Sequence, residues 1–543
     1  MGEPDMIPES YAPETFRISR LPRSPDTVEP LNLERPGSPH YLRENQTIAL
    51  RRIEEADGGI VAQGVGHGKF LVSVLAPVVL RSQKTVLLVP AALVAQTERE
   101  IEKWREFFPI PPAESLRVLS YGALSTLAGK EILTEEAPDL IVADECHHLR
   151  RYESARTKRV IRYFLANPSC RFVGLSGTIS ARNLGDMDHL CEIALRERSP
   201  VPRAFREFEA WARCVDVGGD PSPADRRIFE PIKKWAATPT AREAFRARFQ
   251  SAPGISSTVG SAYDGSIEIH AHKIQIAPRI AEYLRDLDRF WRSPSGDDLI
   301  SALDVARVRR QLLAGYFLFW DWPIAPDLEW LKARSVWSIA ARRWLSSNRR
   351  GHDSPLQIKI AAEEGDAPRW VLDAWDQWEP LKDRPAPPVR AQLVDGTPAK
   401  CAAEIADDPA LIWTEAPAVL AMFDGMGIPS YGAGEGIPEQ EDRTIAVSRR
   451  AHGTGQNLQR YCNNVALSFP PNGAAVEQMI GRTHRPGQEG DAVIFRLLVP
   501  VNPRGTPDPL FVSTMHKIKQ DAIYQTEVLG QSSKILVSNF VGF

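Results

Sequence analysis

Two arginines three residues apart, Arg482 and Arg485, lie in the string Gln478-Met479-Ile480-Gly481-Arg482-Thr483-His484-Arg485-Pro486-Gly487-Gln488. A guanidinium stays charged at any physiological pH and offers two parallel N–H bonds to phosphate oxygens. A short helix over 477–485 would put both on one face, with Gln478 one turn earlier. Such a pair makes a clamp for a polyphosphate or two arginine fingers. A clamp needs a phosphate cradle, and one lies far upstream in Gly64-Val65-Gly66-His67-Gly68-Lys69-Phe70. An apolar strand over 60–63 precedes it and a helix over 71–80, with Pro77 inside as a kink, follows it. In that context the glycines let successive backbone N–H groups turn onto phosphates, and the helix N-terminus adds positive charge. Lys69 then reaches the outer phosphates. A third group completes the set: the apolar strand 140–144 delivers two adjacent carboxylates, Asp144 and Glu145. One carboxylate can hold Mg²⁺ and the other can polarise an attacking water. Alone, the acidic pair reads equally well as a helix cap. Together with a phosphate loop and an arginine pair it reads as nucleotide chemistry.

These strings resemble the motifs of superfamily-two helicases. Gln478–Arg485 is similar to the last motif, Q-x-x-G-R-x-x-R, and its R-x-H-R-x-G-Q form resembles the Swi/Snf-type double-stranded DNA translocases. The chain's size and the segment at 470–478, PPNGAAVEQ, look most like small phage-encoded members. His452–Gln459 (HGTGQNLQ) resembles the preceding motif, Asp144–His148 (DECHH) the D-E-x-H box, and Ser176-Gly177-Thr178 the S-A-T motif. Arg43 and Gln46 match the L-R-x-x-Q entry motif, in which a glutamine amide, both donor and acceptor, reads the adenine edge. The likeness covers 41–195 and 405–500, and the segment between only by architecture.

The resemblance implies ATP as substrate and Mg²⁺ held by Asp144. Glu145, Gln478, Arg482 and Arg485 become the catalytic set. Arg43, Gln46, Gly64, Gly66, His67, Gly68, Lys69, Phe70, Asp144 and Gly455 become the nucleotide contacts. His148, Ser176, Gly177, Thr178, Thr454 and Asn457 would couple the nucleotide to DNA. The partner implied is duplex DNA, ahead of single-stranded DNA or RNA, with a protein partner conceivable through the insertion or the N-terminal arm. With the phosphate loop in one lobe and the arginines in another, ATP would favour closure through contacts to both. One position departs from the pattern. The residue after the lysine should carry a hydroxyl for Mg²⁺, and here it is Phe70. Mg²⁺ keeps several waters in most sites, so binding can survive the change. Ser73, one turn on, is a poor geometric substitute. Phe70 therefore keeps a second reading open: a nucleotide-binding, hydrolytically weak DNA-bound scaffold or regulator.

The totals fit a motor better than a DNA-coating protein. A chain of 543 residues is too long for one core. With 43% hydrophobic and 25% charged residues it has an ordinary globular composition. A net charge of −3 supplies no global basic field, so nucleic acid would need a local groove. The six cysteines are scattered without C-x-x-C, which argues against zinc and disulfides and fits a reducing cytoplasm, the host's if the chain is phage-encoded. The N-terminus has no signal-peptide core, and the longest apolar runs fall short of the ~18 residues that span a bilayer, so no membrane is expected.

The elements needed to position these groups can be read in order. Apolar runs at 60–63, 85–90, 118–121, 140–144 and 172–178 alternate with helices at 41–55, 71–80 and 93–104, which predicts a parallel doubly wound sheet. The rhythm stops near 200. Nine of the thirteen tryptophans fall between 291 and 378. Trp330, Trp337 and Trp344 recur every seventh residue and so share a helix face, read as the core of a helical insertion. The arginine pairs at 309–310, 342–343 and 349–350 are the better phosphate contacts. Strands resume at 410–415, 444–448, 464–468 and 493–499. The expected fold class is α/β, with two RecA-like parallel-sheet lobes and a mainly helical insertion. The boundaries are 1–40 for an extended arm, 41–199 for the first lobe, 200–388 for the Trp/Arg-rich insertion and 389–543 for the second lobe.

Overall fold

The computed structural model describes residues 7–25, 27–64, 66–126, 128–180, 182–235, 240–258, 265–296, 299, 302–347, 355–438, 441–453 and 457–542. Val65, Thr454, Gly455, Gln456 and the arginine pair at 349–350 lie outside them. Two compact units are present. Unit 1 comprises Met1–Gly260, Asp327–Arg384 and Tyr524–Gln531, and unit 2 comprises Ser261–Pro326, Pro385–Ile523 and Ser532–Phe543.

Unit 1 is built on β1 (Gly59–Ala62), β2 (Thr85–Val89), β3 (Leu116–Ser120), β4 (Leu140–Asp144), β5 (Arg171–Ser176) and β6 (Ile255–Ser257). They form one parallel sheet in the order β3-β2-β4-β5-β1-β6. Side chains alternate across it. Ile60, Ala62, Val86, Leu88, Ile141, Ala143 and Phe172 enter one core. Val61, Leu87, Val89, Leu140, Val142, Val173 and Leu175 enter the other. Both faces are dry, which is why these strands read as continuous apolar runs rather than alternating ones. Helices Glu44–Ala56 and Lys69–Val79 cover one face, and Ala155–Ala166 and Asp188–Leu195 the other. Pro77 lies inside its helix without ending it, and Leu80 N–H still reaches Ala76 O at 3.0 Å. At the opposite edge from the carboxyl ends, Asp139 ties three strands: it accepts Ser82 Oγ at 2.6 Å, Lys84 N at 2.9 Å and Arg171 Nη2 at 2.7 Å.

Unit 2 is built on β7 (Ser266–Gln275), β8 (Tyr316–Trp320), β9 (Val389–Leu393), β10 (Ala410–Thr414), β11 (Ser430–Tyr431), β12 (Ile445–Ser448), β13 (Asn463–Ala466), β14 (Ala492–Val501) and β15 (Asn539–Val541). Seven of these make a second parallel sheet, β11-β12-β10-β13-β14-β7-β15, while β8 and β9 pair antiparallel apart from it. Leu411, Trp413, Ile445, Val447, Ala466, Phe495 and Leu497 face one core, and Ile412, Ala446, Val465 and Leu498 the other. The fold is thus α/β with two RecA-like parallel-sheet lobes.

Three expectations differ. The N-terminal arm is not simply extended. Pro13–Arg20 is a helix whose first turn is capped from elsewhere by Glu207, which accepts Thr15 N at 2.6 Å and Glu14 N at 3.1 Å. Ala12 and Ile18 are fully buried, and Trp211 Nε1 donates to Thr15 Oγ1 at 2.9 Å. Residues 200–388 are not one insertion either. Residues 200–260 complete unit 1 and give it β6, 261–326 give unit 2 its strand β7, and 327–384 group with unit 1. Finally, the arginine helix is displaced: it runs Gly473–Ile480, so Gln478 is helical but Arg482 and Arg485 lie in the turns beyond it. Gly481 N still reaches Glu477 O at 2.9 Å, but beyond it the backbone tightens, with Arg482 N and Thr483 N bonding three residues back to Met479 O and Ile480 O.

Trp330, Trp344 and Trp375 behave as core, whereas Trp291 and Trp370 are exposed. On the helix Leu328–Ser347, Trp330 and Trp344 are buried; Trp330 packs edge-on against Trp378 at 5.6 Å and Trp337 against Trp375 at 4.9 Å. Of the arginines offered as phosphate contacts, Arg309 is committed instead to Asp508 at 2.7 Å and also pairs with Asp288.

Candidate nucleotide site

The register of the first sheet decides what can meet. Asp144 on β4 stands opposite Leu175 on β5, and Ser176 on β5 stands opposite Ala62 on β1. Because the strands are adjacent and parallel, Asp144-Glu145, Ser176-Gly177 and Gln63-Gly64 all emerge at one edge, at the carboxyl ends where ligands of such sheets bind.

The glycine-rich loop is braced rather than merely permitted. Gly68 is the N-cap of the helix Lys69–Val79 and is left-handed, at φ 76°; Gly66 has φ 93°. Lys69 Nζ lies across the loop mouth, donating to Gln63 O at 2.9 Å and Gly64 O at 3.0 Å. Arg43 Nη1 donates to Gly66 O at 3.2 Å. Gln46, 3% exposed, donates from Nε2 to Gly68 O at 2.9 Å, while its Oε1 accepts Arg43 N at 2.8 Å and so caps the helix Glu44–Ala56. In this structure its amide therefore acts on the loop and the helix start. Two braces were missed in the sequence. Asn45 Nδ2 donates to His67 O at 2.9 Å, and fully buried Gln63 donates to Asn45 O at 3.0 Å. A glutamine closing an apolar strand was the available signal, since a buried amide must be hydrogen-bonded. Gly68→Ala should act directly on this frame. A Cβ there would overlap Gln46 Nε2, and an L-residue in the left-handed region costs ~1–2 kcal/mol before any lost hydrogen bond. The expected result is a loss of about 2 kcal/mol in urea unfolding, together with weakened nucleotide binding in a fluorescence titration.

The acidic end is also organised by hydrogen bonds. Glu145 is left-handed at φ 55°, an unusual conformation for a residue with a Cβ. Its N–H donates to Asp144 Oδ1 at 3.1 Å. Ser176 Oγ lies 3.4 Å from Glu145 Oε2 and 3.0 Å from His147 Nδ1, which is itself 3.2 Å from that carboxylate oxygen. Thr178 N donates to Ser176 Oγ at 3.0 Å, and among the described residues the buried Thr178 Oγ1 has no hydrogen-bond partner. It is therefore His147 that touches the Ser176 hydroxyl and the Glu145 carboxylate. His148 instead stacks on Tyr121 at 5.0 Å, and Tyr121 OH donates to Asp144 O at 2.7 Å. The two histidine rings stack at 4.6 Å. Burial, ahead of the neighbouring His147 and Arg156 charges, pushes His148 down to about 4. His148 is thus a neutral ring at pH 7. Cys146 is fully buried and faces the core.

Phe70 is half-buried and packs against the apolar cluster of Leu50, Val74 and Leu75. Ser73 Oγ is spent on Phe70 O at 2.7 Å and is 1% exposed, so it offers no oxygen to the loop. Among the described residues no group of three or more His, Cys, Asp or Glu gathers to hold a metal. Asp144 at the strand end still fits a Mg²⁺ that takes its other oxygens from nucleotide phosphates and water, with one protein ligand fewer than a hydroxyl-bearing loop supplies.

In unit 2 the two arginines bond to Gly453, Asn457 and Leu458. Arg482, 8% exposed, donates from Nε to Gly453 O at 3.0 Å, and Leu458 N returns to Arg482 O at 3.1 Å. Arg485 donates to Asn457 Oδ1. Among the described residues no carboxylate pairs with Arg485, and burial lowers its affinity for a proton from the usual range. A guanidinium that is desolvated and bonded only to a neutral amide gains from an anionic ligand. Gln478 is half-buried on the helix Gly473–Ile480. The site residues thus assemble as two sets, each within its own unit.

No family model matches the chain, and no curated protein matches it. No helix among the described residues is long and apolar enough to cross a membrane.

Proposed function

We propose that this chain is a DNA-dependent ATPase, a translocase of the Swi/Snf-like type that couples ATP hydrolysis to movement on duplex DNA. The observation that supports it best is the shared edge of the first sheet, where the Lys69 loop, the Asp144-Glu145 pair and Ser176 emerge from three adjacent strands. That is the arrangement a nucleoside triphosphate needs: backbone N–H groups and an ammonium for its phosphates, and a carboxylate beside them for water. Mg²⁺, when bound, neutralises charge on the phosphate oxygens. Glu145 orients and deprotonates the attacking water, and Ser176 with His147 holds the Glu145 carboxylate in place. The desolvated Arg485 guanidinium is the group in unit 2 suited to an anionic ligand. Loss of the outer phosphate then removes whatever preference ATP gave to one conformation of the chain, because a ligand shifts a conformational equilibrium only by its differential affinity. Duplex DNA as the track rests on the R-x-H-R-x-G-Q form of the arginine motif. Single-stranded DNA and RNA are the competing polymers, and the helical part of the insertion or the arm would serve a protein partner.

The deciding experiment is steady-state ATP hydrolysis with and without long duplex DNA, beside single-stranded DNA and RNA. Stimulation by duplex alone is the expected result, and hydrolysis indifferent to every polymer would overturn the translocase reading. A second reading has its own observation. Phe70 lies in the apolar cluster and Ser73 is bonded to the helix, so the loop lacks a hydroxyl for Mg²⁺. On that reading the protein binds nucleotide and hydrolyses it weakly, as a DNA-bound scaffold. Phe70→Thr separates the two. A tolerated phenylalanine predicts a change in kcat within about threefold, whereas a disabled metal site predicts a gain of on the order of a hundredfold.

A further inference from the structure

The turn carrying the two arginines is held from behind by a segment that no motif covers. Ser533 Oγ donates to Glu477 Oε1, and Lys534 N and Ile535 N donate to the same carboxylate at 2.9 Å and 3.0 Å. Glu477, 8% exposed, immediately precedes Gln478. Lys534 is equally buried, and its Nζ donates to His484 Nδ1 at 3.0 Å. That bond leaves the other ring nitrogen, Nε2, to carry the proton, which it donates to Gly265 O at 2.6 Å. His484 stands between Arg482 and Arg485 in sequence and is 2% exposed. The segment then runs on into β15, which joins the sheet beside β7.

A buried lysine is a costly way to fill space, since a methionine of similar length would do so without desolvating a charge. Among the described residues no carboxylate lies within ion-pair distance of Lys534, although the nearby Glu477 carboxylate favours its charged form. What the ammonium does obtain is a fixed imidazole: with Nδ1 accepting and Nε2 donating, both the tautomer and the ring plane of His484 are set. We propose that Lys534, acting through His484, and Glu477, acting through the segment it caps, are positioning residues that fix the turn bearing Arg482 and Arg485. This rests on the reading of those arginines as phosphate contacts. Glu477 anchors the helix end before the turn, His484 anchors its middle, and the bonds from Arg482 to Gly453 and from Arg485 to Asn457 set where the guanidiniums point.

The test uses the full chain with Lys534→Met and Lys534→Gln. Methionine removes the donor, and glutamine keeps a neutral one. Backbone hydrogen exchange over 481–488 is read first, then ATP turnover. Lys534→Met should speed exchange there by about tenfold, the loss of one buried hydrogen bond, with the strands of the second sheet unchanged. Its kcat should fall by about tenfold, with KM for ATP within about twofold, because only alignment is lost. Lys534→Gln should stay close to the unsubstituted protein in both, and it serves as the comparison if the methionine variant does not fold. Unchanged exchange over 481–488 in Lys534→Met overturns the inference, as does a loss of protection spread through the whole unit, which would mark a merely structural lysine. Should Lys534→Met fail to fold, faster exchange over 481–488 in Lys534→Gln overturns it too. Absent ATP turnover in the unsubstituted protein would sink the functional reading by itself, because exchange still reports on the turn.

Discussion

Glu145→Gln is expected to lower ATP turnover by on the order of a thousandfold while leaving the nucleotide dissociation constant within a few-fold. The amide keeps the shape of the side chain and can still take the Ser176 hydroxyl bond, but it cannot accept a proton from water. The local frame should survive, because Glu145 is placed by its backbone: its left-handed φ and the bond from its N–H to Asp144 Oδ1 involve no atom of the changed group. Steady-state kinetics with saturating duplex DNA, beside a binding titration with a fluorescent ATP analogue, separate the two quantities. Equal loss of binding and turnover would make Glu145 a structural residue. Undiminished turnover would move the chemistry elsewhere.

The second large effect is expected at Arg485. Arg485→Ala should reduce kcat by on the order of a thousandfold or more, the range in which removal of an arginine finger falls, with KM for ATP changing by less than about fivefold. The guanidinium is desolvated by its surroundings and bonded to the neutral Asn457 amide, so its unspent charge is available to an anion. Asn457→Ala is the useful companion. It removes the acceptor but not the charge, and a much smaller loss there would show that Asn457 orients the arginine rather than acting on the nucleotide. A parallel loss of affinity and turnover in Arg485→Ala would make Arg485 a ground-state binding residue only.

Much of the first unit could be read directly from its residues, for a physical reason. A parallel sheet covered on both faces needs unbroken apolar strands; β1, β2, β4 and β5 are such strands, and β1, β4 and β5 end at the candidate site residues. What could not be read depended on partners distant in sequence. The helix Pro13–Arg20 buries only one narrow face, and its cap is supplied by Glu207. β6 is three residues long and has no signature of its own. β7 alternates apolar with charged residues, so it lacks the continuous run that marked the others. The arginine pair was recognisable as a pair, but the helix meant to hold it stops at Ile480, where the backbone tightens into turns that bond three residues back. Which histidine touches Ser176 was likewise a matter of how the backbone turns after Glu145.

The position of β7 has a consequence for how the chain is made. Both of its sheet neighbours, β14 and β15, come later in the sequence, with Ser266 pairing to Ala492. Unit 1's first five strands, by contrast, follow one another closely. During synthesis β7 therefore emerges long before anything can pair with it, and such a strand is a template for association with another chain. Its sequence is suited to the wait. Ile267 and Ile269 are reserved for the core, while Glu268 and His270, paired at 2.7 Å, and Lys273 keep the rest of the strand charged. The alternation that hid this strand from a search for apolar runs is the same property that keeps it soluble until its partners arrive.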